Sequence, residues 1–264
     1  MIDWLTITPG DAPLIVSIPH AGTLIPDDVA GLRSLDLARR DADHHVDRLY
    51  AFAVDLGATI VRSAVSRTVI DLNRDPSGQS LYPGQATTGL CPVTTFDGDP
   101  LYIVGAEPDA VEIERRRTAY FDPYHAALRE EIARLRTLHP AVVLYDAHSI
   151  RSQVPRLFAG ALPQFNIGSY DGASCAASLT DAIAAACADE THVVNGRFKG
   201  GWITRRYGDP ASGLHAVQME LAIRGYADEA GPWPPPWDGD RAAPLQARLR
   251  TILGTCLEFA KEQQ

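Results

Sequence analysis

The sequence predicts a three-layer α/β/α protein built on a central mixed, mostly parallel sheet. Near-continuous apolar runs such as Leu14–Ile18 and Val142–Tyr145 are typical of parallel strands that are buried on both faces. Amphipathic stretches separate these runs, and alternating strands and helices place helices over both faces of a sheet. With 45% apolar residues and no internal repeat or interdomain linker, we expect one domain over residues 1–264.

Six strands are predicted from short apolar, often β-branched runs that end at glycine, proline or polar residues. In chain order they are Leu14–Ile18, Thr59–Arg62, Thr68–Leu72, Val142–Tyr145, His192–Val194 and His215–Leu221.

Four helices are predicted from apolar residues that recur at helical spacing with charges between them, as at Leu128, Ile132 and Leu135. Proline and glycine predict loops at Tyr82–Gly89 and Gly196–Gly201, over one edge of the sheet. The helices are His44–Leu56, Ala110–His139, Ala173–Ala188 and Ala242–Phe259.

Composition excludes several classes of function. A formal net charge of -9 argues against a nucleic-acid partner, since such proteins carry a basic surface. No run reaches the ~18 apolar residues of a membrane span. The four cysteines are scattered, which predicts neither a zinc knuckle nor a disulfide framework. Without signal-peptide features, we expect a cytoplasmic protein with no membrane partner; the sequence does not indicate an oligomeric state.

Two histidines follow apolar strands. His20 comes after Leu14–Ile18, and His148 comes after Val142–Tyr145. If these strands are parallel neighbours, both imidazoles lie at the carboxyl edge of the sheet, where α/β proteins bind ligands. A hydrogen-bonded histidine in a turn is the alternative for each of them, but the repeated placement favours a shared metal ion.

A hydrolytic zinc site takes three protein ligands, and a carboxylate is expected beside two histidines. The stretch RRDADHHVDRLY offers Asp41, Asp43, His44, His45 and Asp47. Acids at a helix start also cap the helix, so the residues alone do not choose between these roles.

Charged side chains also interrupt the apolar runs. Arg67, Asn73 and Arg74 flank one run, and Arg151 and Arg205 lie in loops near strand ends. Guanidinium groups bind carboxylates in bidentate fashion, so these residues predict either structural ion pairs or an anionic small substrate.

Glu220 lies in the apolar strand GLHAVQMEL, on the same face as Gln218. It could be a general base whose pKa burial raises, or the partner of an arginine.

Five motifs in order, SIPHAG, SRTVIDLNR, YDAHSIRS, NGRFKGGWITRRYG and GLHAVQMEL, resemble the N-formylglutamate amidohydrolases. The resemblance covers nearly the whole chain and implies a phosphorylase/hydrolase-like fold. Family members release formate from N-formyl-L-glutamate in the last step of one histidine degradation route, so the implied partner is a small anionic substrate. More distant relatives include aspartoacylases and zinc carboxypeptidases.

The resemblance also implies roles for individual residues. His20, Asp43 and His148 would bind Zn²⁺, with His45 and Asp47 as alternatives to Asp43, because Thr23 stands where the carboxypeptidase pattern has a glutamate. The remaining roles are as follows: Glu220 is the general base, Arg67 polarises the scissile carbonyl, Asn73 and Arg74 hold one substrate carboxylate, and Arg151 and Arg205 hold the other.

The sequence therefore predicts a zinc-dependent amidohydrolase acting on N-formyl-L-glutamate. Two alternatives remain at this point: a metal-dependent deacylase of another N-acyl amino acid, and a non-catalytic protein that binds dicarboxylates.

Overall fold

The computed structural model describes residues 3–263. Within them, seven strands form one mixed sheet in the order β1-β3-β2-β4-β7-β5-β6. Its centre, β3-β2-β4-β7, is parallel, whereas β1 and β5 join it antiparallel. The strands are β1 Leu5–Thr8, β2 Leu14–Ile18, β3 Thr59–Ser63, β4 Val142–Ile150, β5 Phe165–Gly168, β6 His192–Val194 and β7 Leu214–Ala222.

Helices cover both faces of this sheet. Two apolar cores result, one beneath α5 and α7 and the other beneath α4 and α6. The mixed sheet between helices confirms the predicted fold class. Within residues 3–263 the α-helices are α1 Leu35–Arg39, α2 Val46–Leu49, α3 Ala110–Arg116, α4 Asp122–Arg136, α5 Ala177–Ala186, α6 Trp202–Tyr207 and α7 Gly239–Glu262.

The parallel pairing of β2 with β4 positions the site. Leu14 pairs with Val143, and the register runs on to Ser17 and Asp146. Because β4 continues to Ile150, its last residues extend past β2 and pair only with β7. The carboxyl ends of β2, β4 and β7 thus meet at one edge of the sheet.

The predicted strand at Thr68–Leu72 is wrong. These residues are buried, but they form turns in which the backbone N–H of Val69 donates to the carbonyl of Ser66 at 2.9 Å. A short apolar run indicates that its residues are buried, but it does not indicate their backbone conformation. It therefore does not distinguish a strand from a buried turn. The other five predicted strands are present, with β4 longer than predicted, whereas β1 and β5 were not predicted.

All four predicted helices exist, but two of them are interrupted. Ala110–His139 is divided into α3 and α4 by a π-turn at Arg117–Phe121, and Pro123 stands in the first turn of α4. His44–Leu56 becomes α2 and a 3₁₀ segment at Ala51–Leu56. The short helices α1 and α6 were not predicted, since five or six residues carry too little periodicity.

Among the described residues, no helix is both long and apolar enough to cross a membrane. Cys91, Cys175, Cys187 and Cys256 are buried free thiols, as their scattered placement predicted.

Candidate metal centre and active site

His20 lies just beyond β2, after Pro19. Its Nε2 is 2.9 Å from Asp71 Oδ1, so Nε2 carries the hydrogen that is donated to this carboxylate. Burial, reinforced by the charge of Arg67, lowers the pKa of His20 and keeps the ring neutral. Nδ1 is buried and has no hydrogen-bond partner in residues 3–263. The ring therefore presents an unused lone pair, the form of histidine that binds a metal ion.

His148 reaches the same place from β4, and the two imidazole centroids are 4.9 Å apart. Its Nε2 is 2.8 Å from Oδ2 of Asp146, two residues earlier on the same face of the strand. Its Nδ1 is 3.1 Å from Oδ2 of Asp43. Burial alone would lower the pKa of His148, but Asp146 and Asp43 outweigh it and raise the pKa well above its usual range. These carboxylates thus favour a positive charge at Nδ1, whether a proton or a metal ion.

Asp43 lies between α1 and α2, and its backbone N–H donates to the carbonyl of His20 at 2.9 Å. Its Oδ2 accepts a hydrogen bond from the backbone N–H of Ser149 at 3.2 Å and lies 3.7 Å from Nδ1 of His20. Burial opposes ionisation of Asp43, yet His148, His20 and Arg67 together lower its pKa. The group is therefore a carboxylate aimed between the two rings.

The two alternatives to Asp43 contact other parts of the molecule. Nε2 of His45 is 2.8 Å from the carbonyl oxygen of Pro235. Asp47 forms an ion pair with Arg62, at 2.6 Å between Oδ2 and Nη1. The structure brings Asp43 to the histidines and leaves these two outside.

Two histidines and one carboxylate fit a divalent metal ion. Ligand atoms of His20, Asp43 and His148 lie within 4.8 Å of one another, and all three residues are buried. This donor set suits zinc and neighbouring transition metals. Asp71 and Asp146 hold the far nitrogens of the two rings, the carboxylate–histidine arrangement that orients metal-binding histidines. The cluster is a possible metal site.

Arg67 lies beside this cluster. Its Nη1 is 3.2 Å from Asp43 Oδ1 and its Nη2 is 2.7 Å from Asp71 Oδ2, so the ion pair considered in the sequence analysis is present. The guanidinium carbon is 4.8 Å from the ring centroid of Phe96. Although burial disfavours the charge, Asp71 and Asp43 raise the pKa of Arg67. The cluster therefore contains a permanent cation, whose action on a substrate stays a prediction.

Glu220 is adjacent to His148 in the β4–β7 register and is 6% exposed. Its Oε2 accepts a hydrogen bond from Nε2 of Gln218 at 3.2 Å. Burial raises the pKa of Glu220 to about 8, although the charge of His148 opposes the shift. A carboxyl group that titrates near neutral pH is suited to accept and return a proton.

Asn73 is buried, and its amide is engaged by the protein. Nδ2 donates to Asp146 Oδ2 at 2.9 Å and lies 3.0 Å from His148 Nε2, while Oδ1 accepts from the backbone N–H of Ile203 at 2.7 Å. Gly201 packs against this amide so closely that a Cβ there would overlap it. Asn73 thus braces the ring of His148, and its contact with a substrate stays a prediction.

Arg74 and Arg205 contact residues 75–90, the loop segment that contains the predicted loop at positions 82–89. Nε of Arg74 donates to the carbonyl oxygen of Thr88 at 3.1 Å. Nη1 of Arg205 donates to the carbonyl oxygen of Leu81 at 2.8 Å. Both guanidinium groups therefore hold this segment by its backbone.

Arg151 already has carboxylate partners. Its Nη2 is 2.8 Å from Asp97 Oδ2 and 3.7 Å from Asp41 Oδ1. Among the described residues it shares no contact residue with Arg74 or Arg205, so these three arginines do not form one group.

The sequence analysis gave no role beside the histidines to Asp146 or Asp71. The pattern Asp-x-His on a strand places both side chains on one face, so the role of Asp146 could have been found. Asp71 is 51 residues from His20, and no local pattern links the two.

Comparison with known families now adds to this geometry. Residues 12–227 match the family model described as N-formylglutamate amidohydrolase. The chain belongs to this family. An N-formylglutamate deformylase of Pseudomonas putida is 46% identical over 98% of this chain and 97% of its own length. One of Pseudomonas aeruginosa is 45% identical over 100% and 99%.

Solved structures agree on the fold. The crystal structure of an N-formylglutamate amidohydrolase from Ralstonia eutropha JMP134 matches with a TM-score of 0.82 and 26% identity over the whole of both chains. A gene product of Agrobacterium tumefaciens matches with a TM-score of 0.71 and 21% identity, over 97% of this chain and 94% of its own, and supports the fold alone. Family membership confirms the resemblance drawn from the five motifs.

Proposed function

We propose that the protein hydrolyses N-formyl-L-glutamate to formate and L-glutamate, the last step of a histidine degradation route. Full-length relatives named N-formylglutamate deformylase support the substrate. The observation that carries the chemistry is the buried Nδ1 of His20, unpaired and close to the carboxylate of Asp43 and the ring of His148.

Zinc is the ion we propose for this cluster, held by His20, Asp43 and His148. When bound, it supplies Lewis acidity for attack of water on a carbonyl. These three protein ligands would leave a position for water, as hydrolytic zinc sites require.

Glu220 is the proposed general base and acid. As the oxygen of water bonds to the formyl carbon, Glu220 accepts the released proton. It then donates that proton to the amide nitrogen while the carbon–nitrogen bond breaks, so formate and the free amine leave. Arg67, a fixed cation in the cluster, stabilises the negative charge that develops on the formyl oxygen.

The arginine side chains match the two negative charges of the proposed substrate. N-formylglutamate carries two carboxylates, and we propose that the Asn73–Arg74 pair holds one of them, with the amide of Asn73 also bracing His148. Arg151 or Arg205 is the partner that the sequence predicts for the other, although Arg151 would first have to release Asp97.

A substrate panel tests the proposal. The metal-loaded protein should release formate from N-formyl-L-glutamate, and a chelator should abolish release until zinc is restored. N-formyl-L-glutamine and N-formyl-L-leucine, which lack the side-chain carboxylate, should be poor substrates. Equal cleavage of N-formyl-L-leucine would favour a deacylase of broad specificity, and tight glutamate binding without turnover would favour a binding protein.

A further inference from the structure

Three guanidinium groups hold residues 75–90, which we call the cover segment, by backbone carbonyls. Besides Arg74 and Arg205, Arg197 takes part: its Nη2 donates to the carbonyl oxygen of Ala86 at 2.9 Å. The segment contains no charged side chain except Asp75. On this segment the three guanidinium groups therefore donate to neutral carbonyl oxygens. Such oxygens bind arginine more weakly than carboxylates do.

Arg197 lacks an anionic partner. It is half-buried, its Nε donates to the carbonyl oxygen of Leu157 at 2.8 Å, and no carboxylate of residues 3–263 lies within 4.0 Å of its guanidinium nitrogens. Burial, together with the nearby charge of Arg74, lowers its pKa. A cation removed from water without an anion is costly, and an arriving carboxylate would offset that cost.

Arg197 and Arg74 line one cavity of about 30 Å³, together with Phe96 and parts of the cover segment. Phe96 is also the ring beneath Arg67, so the cavity adjoins the histidine cluster. Space for about one water molecule cannot hold a glutamate side chain. Binding there requires the cover segment to move outward, and the hydrogen bond between Ala86 and Arg197 is one that it must release.

The contacts show which of the two arginines in this cavity reaches the histidine cluster. Asp71 is bonded to His20, and Nη2 of Arg74 is 3.6 Å from Oδ2 of Asp71. Arg197 lines the same cavity, but within residues 3–263 it has no hydrogen bond or ion pair with the cluster. In N-formylglutamate the α-carboxylate is attached next to the scissile amide, whereas the side-chain carboxylate is two methylene groups farther away. The nearer arginine therefore matches the α-carboxylate and the farther one the side chain.

We propose that Arg197 binds the side-chain carboxylate of the substrate, which replaces the carbonyl oxygen of Ala86 on its guanidinium group. The inference rests on the proposed function, because the substrate supplies the dicarboxylate. Arg197 is preferred to Arg151, which is already paired with Asp97, and to Arg205. The guanidinium carbon of Arg205 lies 4.8 Å and 4.5 Å from the ring centroids of Tyr82 and Tyr170, and Arg205 does not itself line the cavity that Arg74 and Arg197 share.

The experiment compares Arg197→Ala with the wild type on N-formyl-L-glutamate and N-formyl-L-glutamine. A hydrogen bond to a charged group is worth about 1.5–3 kcal/mol, so the preference for glutamate over glutamine should fall by roughly 10- to 100-fold, mainly through KM. Arg197→Gln removes the charge but keeps a donor for Leu157, and it decides the question if the alanine variant does not fold. A preference unchanged in the folded variant overturns the proposal.

Arg206→Ala is the matched control, because Arg206 is an exposed arginine of α6 that forms no ion pair in the described chain. This variant should keep the preference for glutamate over glutamine. An equal loss of that preference in Arg206→Ala and Arg197→Ala would show that the effect depends only on net charge, and it would overturn the inference.

Calorimetric binding of L-glutamate and L-glutamine separates this inference from the proposed function. Binding of glutamate that depends on Arg197, without formate release, would reject the enzyme and keep the carboxylate site. Formate release with an unchanged glutamate preference in Arg197→Ala would keep the enzyme and reject the site. Absence of both formate release and glutamate binding would reject both.

Discussion

The histidine cluster and the arginines around the cover segment distribute charge in opposite ways. In the cluster, three carboxylates, those of Asp43, Asp71 and Asp146, surround two histidines and one arginine, so carboxylates outnumber permanent cations. Around the cover segment, Arg197 and Arg205 donate to backbone carbonyls, and neither forms an ion pair with a carboxylate of residues 3–263. Each region lacks the charge that its proposed ligand carries: a metal ion in one and a dicarboxylate in the other.

The two regions also differ in how firmly their residues are held. Asp146, His148 and Glu220 project from central strands whose residues are almost all buried. The cover segment contains no helix or strand, and side chains from elsewhere in the chain fix its backbone. Local opening has its lowest free energy in segments of this kind. The difference suggests a rigid centre for the chemistry and a movable wall for substrate entry.

The largest effect is expected from His148→Ala, which removes one of the proposed metal ligands from the histidine cluster. It should lose bound metal and turnover together while the chain stays folded, because one of three proposed ligands is gone. Metal analysis, formate release and circular dichroism measure the three properties. His45→Ala, whose ring contacts Pro235, is the control and should keep its metal. Full metal occupancy in His148→Ala would remove this residue from the ligand set.

Glu220→Gln should leave the metal content unchanged and lower kcat by ~10²–10⁴, the usual contribution of general acid–base catalysis. A base must be deprotonated, so wild-type activity should rise with pH through the pKa of Glu220, which burial raises. The glutamine variant should lack that limb of the pH profile. A variant with nearly wild-type kcat would instead favour a structural role for the carboxyl group.

Asp71→Asn should weaken metal binding by about 10- to 100-fold, because it removes the carboxylate that orients His20. Asp47→Asn makes the same chemical change in a partly exposed ion pair with Arg62, outside the cluster, where a surface pair contributes about 1 kcal/mol or less. Titration with zinc should separate the two variants. Equal affinities would show that the aspartate behind His20 has no influence on the ion.

Arg74→Ala should lower kcat/KM by at least about tenfold without changing the metal content, since one charge-assisted hydrogen bond is worth about 1.5–3 kcal/mol. If Arg74 holds the α-carboxylate, N-formylglutamate and N-formylglutamine should lose activity equally, unlike the result expected for Arg197. A simultaneous loss of metal would mean that the two regions are not separable.

The sequence predicted the centre of this fold because strand burial and strand ends are local signals. Apolar runs at Leu14–Ile18 and in β4 gave two parallel neighbours, and their carboxyl ends placed His20 and His148 together. The third predicted ligand, Asp43, came from the family resemblance. The stretch around it contains five acids and histidines that could each bind a metal ion, and local sequence does not distinguish them. In the structure, a hydrogen bond from the backbone N–H of Asp43 to the carbonyl oxygen of His20 brings Asp43 close to the histidines.

Long-range contacts set the limit of prediction. Asp71 lies in a run that resembles a strand, and only the turns at Thr68–Leu72 direct its carboxylate towards His20. Arg197 lies in a motif with several polar residues, and its lack of an anion becomes visible only when the cover segment is folded over it. Periodicity carries no information about such partners.

Gly201 has a consequence for sequence variation at this site. The position has no side chain, yet any side chain there would displace the amide of Asn73, which braces His148 and Asp146. A library of all residues at position 201 should therefore be depleted of every substitution, alanine included, under selection for activity. Tolerance to mutation in this region is thus set by empty space beside the reacting groups as much as by the groups themselves.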